Sequence, residues 1–240
     1  MKKRKHHFFF NRVLNKQIGI RLIDNNSLMP PSIATRLLLK YLRIKKGESV
    51  LDLGAGPGTI ALVAKKLGAG AVTATEVDPS AKDMIRKNIE LNGLKGDVHV
   101  CVGSMFEAVK GKVFDHIVTN LPSLPVAEGE NVLLANDGGE DGRRYHDIFQ
   151  AEFTKHLNKR GRVTMIHSSL CDLNKSIVNF KKLGYEVEEK GSAEVFFCDM
   201  HDLYHLEQLK KEGTVKFKKC NGKLYFQVYV LNLSMKTALQ

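Results

Sequence analysis

Short apolar segments alternate with longer amphipathic segments along most of the chain. The apolar segments predict strands at 49–53, 71–77, 98–102, 114–119 and 162–167. Apolar positions spaced three to four residues apart predict helices at 59–67, 79–91, 144–157 and 172–183. Strands that alternate with helices form a parallel sheet covered on both faces. We therefore expect an α/β fold with a mostly parallel sheet.

The first part of the chain follows a different pattern. No clear periodicity precedes residue 17, whereas the alternation at 19–24 predicts a strand. Pro30 and Pro31 then separate this strand from a helix predicted at 32–42. Residues 1–46 are interpreted as an N-terminal appendage made of a strand and a helix.

The last part of the chain also departs from the regular alternation. Two strands are predicted at 185–197 and 223–233, joined by a helical segment at 203–211. We expect these strands to add an antiparallel edge to the sheet. Residues 47–240 then form one main domain.

Charge leaves two interpretations of the surface open. The formal net charge is +11, and basic residues cluster at 2–5, 36–46 and 210–219. An anionic partner such as a nucleic acid or a ribosome would be attracted to such clusters. A solvated basic surface without a partner is the other interpretation.

Two further features bear on the location of the protein. No run of eighteen apolar residues occurs that could span a membrane, so no membrane partner is expected. The four cysteines are widely spaced and form no CxxC pair. This usage is typical of reduced thiols, and it favours a cytoplasmic location.

The segment VLDLGAGPGTIAL, residues 50–62, carries the clearest chemical signal. Its glycines have the spacing G-x-G-x-G, which matches neither the dinucleotide fingerprint nor the phosphate-binding loop. Asp52 precedes the first glycine, and a carboxylate there would repel a pyrophosphate but attract an ammonium or sulfonium group. S-adenosylmethionine (SAM) carries both cations. Glu76 follows at a strand end, where its carboxylate can accept bonds from both ribose hydroxyls.

At these motifs the chain resembles the class I SAM-dependent methyltransferases, over residues 49–183. The resemblance implies a Rossmann-like fold with a mostly parallel seven-stranded sheet and SAM as the cofactor. It also implies that the turn at 103–106 borders the adenine, where Phe106 is interpreted either as a ring partner or as a core aromatic. The implied cofactor-binding residues are Asp52, Gly54, Ala55, Gly56, Gly58, Glu76, Val77, Ser104, Met105 and Asn120.

The stretch FDHIVTNLPSLP, residues 114–125, follows the fourth strand of the alternating series. It is similar to the [DNS]PP[YF] motif of enzymes that methylate planar nitrogens. The resemblance implies that the Asn120 side-chain oxygen and the Leu121 carbonyl accept the two protons of an acceptor NH2. Catalytic roles are therefore expected for Asn120, Leu121 and Pro122. Alternatively, Asn120 caps the turn and Pro122 stiffens it.

Two substitutions separate this clamp from the motif. Leu121 stands where the motif has its first proline, and Ser123 replaces the aromatic residue that would stack on a flat substrate. The triplet NLP also resembles the NLPY motif of rRNA adenine dimethyltransferases.

The segment DGGEDG, residues 137–142, resembles the DGGxDG segment of the HemK-like protein glutamine methyltransferases. A tight acidic turn that leads into a helix is the alternative. The favoured function is SAM-dependent methyl transfer to a planar nitrogen, as on a protein glutamine amide. An RNA or small-molecule methyltransferase on the same fold and a SAM-binding module without catalysis remain open.

One further group of residues has ligand chemistry. Cys198, His201 and His205 could meet on one face of a helical start and offer soft and imidazole ligands to zinc. No fourth ligand accompanies them in the sequence, so surface or acceptor-site roles are favoured. We expect no metal.

Overall fold

The computed structural model describes residues 6–13, 16–23, 31–94, 98–197 and 203–236. The strands are β1 His6–Val13, β2 Lys16–Ile23, β3 Ser49–Leu53, β4 Ala71–Glu76, β5 Val98–Val102, β6 Phe114–Thr119, β7 Leu157–Ser168, β8 Tyr185–Phe197, β9 Lys218–Cys220 and β10 Lys223–Met235. The helices are α1 Ile33–Tyr41, α2 Thr59–Lys66, α3 Ser80–Leu91, α4 Arg144–Glu152, α5 Leu173–Lys182 and α6 Leu203–Lys211. Within these ranges, no helix has both the length and the apolar character that a bilayer span requires.

One large sheet organises the molecule, in the order β5-β4-β3-β6-β7-β10-β8, with β9 paired to β10. The neighbours from β5 to β7 are parallel. Strand β10 is antiparallel to both β7 and β8. The predicted mostly parallel sheet is confirmed, but it has eight strands instead of seven, because the short β9 also pairs with β10. Its antiparallel strand is β10, which lies between β7 and β8.

Helices cover both faces of the sheet because the central strands are apolar on both sides. Leu38 of α1, Leu62 of α2 and Ile85 of α3 belong to one buried cluster. Phe149 of α4 and Phe180 of α5 belong to a second cluster on the opposite face. The carboxyl ends of β3, β4 and β6 therefore open between two helical layers, as ligand sites of open α/β sheets do.

The predicted helix at 144–157 is too long. Helix α4 ends at Glu152, and a short 3₁₀ turn, Phe153–His156, leads into β7. The Phe153 ring is buried and stacks on Phe149 at 5.1 Å. The polar residues at 158–162 hid the beginning of β7, because burial on both faces starts only at Val163.

Strands β1 and β2 form a hairpin in which His6 lies opposite Ile23. Strand β1 was missed because its sequence lacks regular alternation. The side chain of Asn92 on α3 accepts a hydrogen bond from Arg21 N (2.8 Å) and donates one to Arg21 O (2.7 Å). Asn88, one helical turn earlier, accepts a bond from Ile23 N (2.8 Å). Two asparagine side chains thus fix the hairpin to the main domain.

Strands β8 and β10 extend past the carboxyl end of β7. Strand β10 pairs with β7 only from Val228, which lies opposite Ser168. The preceding residues of β10 pair with β8 and β9 instead. Helix α6 covers one side of this extension, because Leu206 and Leu209 belong to the same buried cluster as Phe226.

Candidate active site

The glycine-rich loop lies at the carboxyl end of β3. Gly54, Gly56 and Gly58 all have positive φ, with values of 73°, 52° and 82°. Only glycine adopts this conformation without strain, which explains the spacing of the motif. A Cβ at Gly58 would also lie 3.0 Å from the Ile85 side chain, whereas Gly54 and Gly56 face open space.

Hydrogen bonds already engage the amides of this loop. The N–H groups of Gly54 and Ala55 donate to Thr75 O at 3.0 and 2.8 Å. Gly58 N donates to Ala55 O, and Gly56 N donates to a carboxylate oxygen of Glu76 at 2.8 Å. These four amides are therefore not aimed at a ligand phosphate, in contrast to a phosphate-binding loop.

Asp52 lies beneath the loop and is fully buried. Its Oδ2 accepts a hydrogen bond from Ala61 N at 2.8 Å, which fixes the first turn of α2. Its Oδ1 has no partner among the described residues. Burial raises the pKa of Asp52 to about 7, and the charge of Glu76 acts in the same direction. The site thus holds a buried carboxylate with one oxygen that a cation can still satisfy.

Glu76 lies at the end of β4, next to the glycine loop. Its Oε2 accepts the bond from Gly56, and its Oε1 accepts bonds from Val77 N (2.8 Å) and Asp78 N (3.4 Å). The sequence did not indicate that Glu76 ties the end of β4 to the glycine loop. Oε2 keeps a further lone pair for a ribose hydroxyl, and the bidentate ribose contact stays a prediction.

These features fit SAM better than a nucleotide phosphate. A cation can meet the free oxygen of Asp52, hydroxyl groups can meet Glu76, and the open space at Gly54 and Gly56 admits a ligand close to the backbone. The site therefore offers carboxylate oxygens to a ligand, whereas the amides of Gly54, Ala55, Gly56 and Gly58 already have acceptors.

Three further predicted cofactor residues follow strand ends: Ser104 and Met105 lie after β5, and Val77 lies after β4. Ser104 is half-buried, and Met105 has a positive φ of 46°. Val77, which follows Glu76, is exposed. Phe106 is buried and stacks on the His156 ring at 4.6 Å, so it is a core aromatic, as one of the two interpretations of the sequence expected.

Asn120 is half-buried and follows β6 at the carboxyl edge of the sheet. Its Nδ2 donates a hydrogen bond to Oγ1 of Thr35 at 3.1 Å, across 85 residues of sequence. The Thr35 hydroxyl lies 3.3 Å from Ser32 Oγ, the N-cap of α1. With Nδ2 held by Thr35, Oδ1 is the amide atom left to receive a donor.

The residues after Asn120 set the shape of the clamp. Leu121 is buried and its side chain belongs to the core cluster under β6 and α4, so only its backbone can serve a substrate. Pro122 and Ser123 are half-buried. Among the clamp contacts, sequence reasoning missed Thr35, because no local pattern links it to Asn120.

The DGGEDG segment packs directly on the clamp. Leu124 N donates to Asn136 O, and Gly138 N donates to Leu124 O at 2.9 Å. A Cβ at Gly138 would lie 2.9 Å from the Ser123 Cα, and a Cβ at Gly142 would lie 2.7 Å from the Ser123 carbonyl oxygen. These glycines are required because two backbone segments touch.

Arg143 joins this segment to the loop after β7. It is almost fully buried, and its guanidinium donates to the carbonyl oxygens of Cys171 (2.7 Å) and Asp172 (2.9 Å) and to Ser176 Oγ. Asp147, one turn along α4, accepts another bond at 2.5 Å. Arg143 therefore fixes the relative position of two loops beside the clamp.

The candidate zinc ligands are only partly within the described residues. Cys198 and His201 lie outside them. A ring nitrogen of His205 on α6 lies 2.5 Å from Glu140 O, so α6 contacts the DGGEDG segment.

Comparison with known proteins agrees with this geometry. Residues 30–191 match the methyltransferase small domain family. A protein of Methanocaldococcus jannaschii, provisionally named a protein N5-glutamine methyltransferase, is 34% identical over 186 residues, covering 76% of this chain and 93% of its own.

Solved structures show the same fold. A methyltransferase of Pyrococcus furiosus has a TM-score of 0.57 at 22% identity, covering 88% of each chain. The 16S rRNA N2 G1207 methyltransferase of T. Thermophilus, solved with AdoMet and guanosine, has a TM-score of 0.57 at 20% identity, covering 96% of this chain and 51% of its own. Together with the family match, these findings confirm the predicted fold class and cofactor. The chain belongs to the methyltransferase small domain family, and it is a SAM-dependent methyltransferase.

Proposed function

We propose that the protein methylates the side-chain amide nitrogen of a glutamine in another protein, as HemK-like enzymes do. The observation that carries the proposal is the orientation of Asn120. Because its Nδ2 donates to Thr35, its Oδ1 is free to accept a proton from an acceptor NH2.

The clamp suits an acceptor whose nitrogen lone pair is delocalised. Asn120 Oδ1 and the Leu121 carbonyl would accept the two N–H protons of an amide. When both protons are held by acceptors, the nitrogen favours a pyramidal geometry. This geometry exposes its lone pair for in-line attack. Bound SAM would supply an electrophilic methyl group and leave as S-adenosylhomocysteine, and the methylated nitrogen would lose one of its protons to solvent. The clamp contains no ionisable side chain, and Asn120 and Leu121 position the nitrogen without acting as a general base.

Asp52 and Glu76 would hold the cofactor on the opposite side. The free Oδ1 of Asp52 would meet a cationic group, and Glu76 would accept from the ribose. Gly54, Ala55, Gly56 and Gly58 would form the floor on which the cofactor lies. Val77, Ser104 and Met105 would border the adenine.

Two further observations support a protein acceptor. The DGGEDG segment, which resembles that of HemK-like enzymes, packs its glycines directly on Ser123. The M. jannaschii relative carries the name of a protein N5-glutamine methyltransferase and matches over 93% of its length. We also propose a cytoplasmic location and contact with the ribosome through the basic clusters.

Transfer of labelled methyl groups tests the proposal. Purified protein is incubated with methyl-labelled SAM and a cell extract divided into protein and RNA fractions. Label is expected in a protein, as N5-methylglutamine by mass spectrometry, and Asn120→Ala is expected to lose it. Asn174→Ala, which changes an exposed asparagine on α5, serves as the matched control.

Label in RNA that ribonuclease removes would contradict the amide acceptor and favour the RNA alternative. Ser123 favours that alternative weakly, since it leaves room where the motif has an aromatic ring. Absence of transfer to either fraction, with intact SAM binding, would favour the non-catalytic module.

A further inference from the structure

The extension formed by the ends of β8, β9 and β10 has one side that α6 does not cover. Leu224 and Phe226 of β10 are buried toward α6. Because side chains alternate along a strand, Lys223 and Tyr225 point to the opposite side.

The neighbouring segments add side chains to this opposite side. Phe196 of β8 and Lys218 of β9 both lie across from Tyr225. Val215 and Phe217 are buried, so the alternating Lys216 and Lys218 are exposed. We call this surface the lysine–aromatic face; it consists of Phe196, Lys216, Lys218, Lys223 and Tyr225.

Two aromatic rings stand together on this face. The centroids of Phe196 and Tyr225 are 5.7 Å apart, and Phe196 is 43% exposed. The ammonium of Lys223 lies 4.6 Å from the Phe196 centroid. An exposed ring pair bordered by flexible cations provides a surface on which bases can stack while the lysines reach phosphates.

The charge of the region has the sign that an anionic ligand requires. Residues 203–223 contain six lysines and two glutamates, a surplus of four positive charges. One of these glutamates, Glu207, is paired with Lys219 at 2.6 Å, and α6 lies on the other side of the extension. On the face itself, Glu194 of β8 lies two residues before Phe196 and opposite Gln227, so one carboxylate accompanies the three lysines. The balance remains positive.

We propose that the lysine–aromatic face binds single-stranded RNA. Phe196 and Tyr225 stack on bases, and Lys216, Lys218 and Lys223 contact phosphates. Movement of Lys223 from the Phe196 ring to a phosphate frees the ring face for a base. The extension that carries the face lies beyond the carboxyl edge of the sheet, where the acceptor clamp also lies, so RNA bound here would bring its associated protein to the same end of the enzyme as the clamp.

RNA binding is measured without any methyl acceptor, so it stands or falls separately from the proposed methyl transfer. The probe is a fluorescein-labelled twelve-nucleotide oligouridine, followed by fluorescence anisotropy with the full chain. Three phosphate contacts predict that affinity falls roughly 20-fold between 50 and 200 mM salt. Phe196→Ala and Tyr225→Ala are each expected to weaken binding at least about fivefold, whereas Tyr225→Phe keeps the ring and the affinity.

The triple variant Lys216→Gln/Lys218→Gln/Lys223→Gln is expected to lose most of the salt dependence. The control is Lys181→Gln/Lys182→Gln, which also removes lysine charges but on the exposed end of α5. This variant should bind RNA as the unchanged protein does. A thermal shift with S-adenosylhomocysteine verifies that every variant is folded.

Three results would overturn the proposal. The first is no anisotropy change at 100 µM protein. The second is an equal loss in the Lys181/Lys182 control, because that would make the binding nonspecific. The third is tighter binding of poly-glutamate or of phosphatidylserine vesicles than of the RNA, which would identify a protein or membrane contact instead.

Discussion

The cofactor side and the acceptor side of the active site are built in different ways. On the cofactor side, Glu76 and Gly56 are 20 residues apart and meet across neighbouring parallel strands. On the acceptor side, Asn120 is held by Thr35, 85 residues away, and the clamp rests on the DGGEDG segment. The first region depends on one strand pair and its turns, whereas the second depends on several elements brought together by the fold.

This difference predicts different consequences of substitution. Changes on the cofactor side should reduce cofactor affinity, because its groups are those proposed to contact the cofactor or they hold the glycine loop in place. Changes on the acceptor side should leave cofactor affinity intact and reduce turnover. Measuring cofactor affinity and turnover for each variant therefore tests whether the two sides of the site act separately.

Glu76→Ala should give the largest effect. It removes the acceptor of Gly56 N and two charge-assisted bonds predicted to the ribose, so S-adenosylhomocysteine should bind more than about 100-fold more weakly by calorimetry. Glu76→Gln keeps an acceptor for Gly56 and should lose less. Normal affinity in Glu76→Ala would remove the ribose assignment.

Thr35→Val should reduce turnover by about tenfold or more, because Asn120 loses the partner that orients its amide. Thr35→Ser keeps the hydroxyl and should retain most of the turnover. The affinity for S-adenosylhomocysteine should stay unchanged in both variants, whereas Asn120→Ala combined with Thr35→Val should be no slower than Asn120→Ala alone. Loss of cofactor affinity in Thr35→Val would place Thr35 on the cofactor side.

Cofactor binding should depend on pH through Asp52. Because burial raises the pKa of Asp52 to about 7, the carboxylate becomes protonated as the pH falls below 7 and attracts a cation less. Affinity for SAM is expected to fall about tenfold from pH 8 to pH 6. Asp52→Asn should bind weakly and show a flat profile over that range; an unchanged slope would assign the titration to another group.

The smallest effect concerns stability in acid. His167 lies at the end of β7 and His146 on α4, both fully buried, and burial lowers the pKa of His167 to about 4 and that of His146 well below its usual value. Both rings are neutral in the folded protein. Their contribution to the free energy of unfolding is therefore fully present above the unfolded pKa of about 6.5, and it is lost as the pH falls toward 4. At pH 5.5, about one unit below the unfolded pKa, the loss from His167 is about 1 kcal/mol, and His146 adds to it in the same direction.

Hydrogen exchange at pH 7.5 and pH 5.5 locates this effect. Amides of α4 and of the loop after β7 should lose protection in acid, relative to the intrinsic exchange rate at each pH. The glycine loop should keep its protection, because Asp52 has a raised pKa and favours the folded state in acid. Equal loss in both regions would contradict a separate acceptor side.

The sequence predicted the cofactor side of the structure better than the acceptor side. The strand bounds 49–53, 98–102 and 114–119 were predicted correctly, because these strands are short apolar runs between clear turns. The glycine motif also predicted a loop of positive φ values. The contact between Asn120 and Thr35 could not be predicted, because it depends on how α1 packs against the sheet.

Packing decides two local questions that the sequence left open. Phe106 follows the turn after β5, yet it is a core residue because it fills the space between Phe149 and His156. DGGEDG does form the tight acidic turn that was the alternative to the HemK-like interpretation, because Asp137 and Asp141 accept backbone bonds from Gly139 and Arg143 at the beginning of α4. The spacing of residues in the sequence indicates that a turn exists. It does not show which side chains are buried or hydrogen-bonded within that turn.

The position of β10 bears on the order of folding during synthesis. This strand is the last of the described chain, yet it lies between β7 and β8, which emerge earlier. Strand β8 has no sheet neighbour until β10 has left the ribosome, whereas β3 to β6 can pair beforehand. Among the described strands, β10 therefore pairs after β3 to β6 can do so, and the nascent chain exposes an open strand edge until residues near 235 are available.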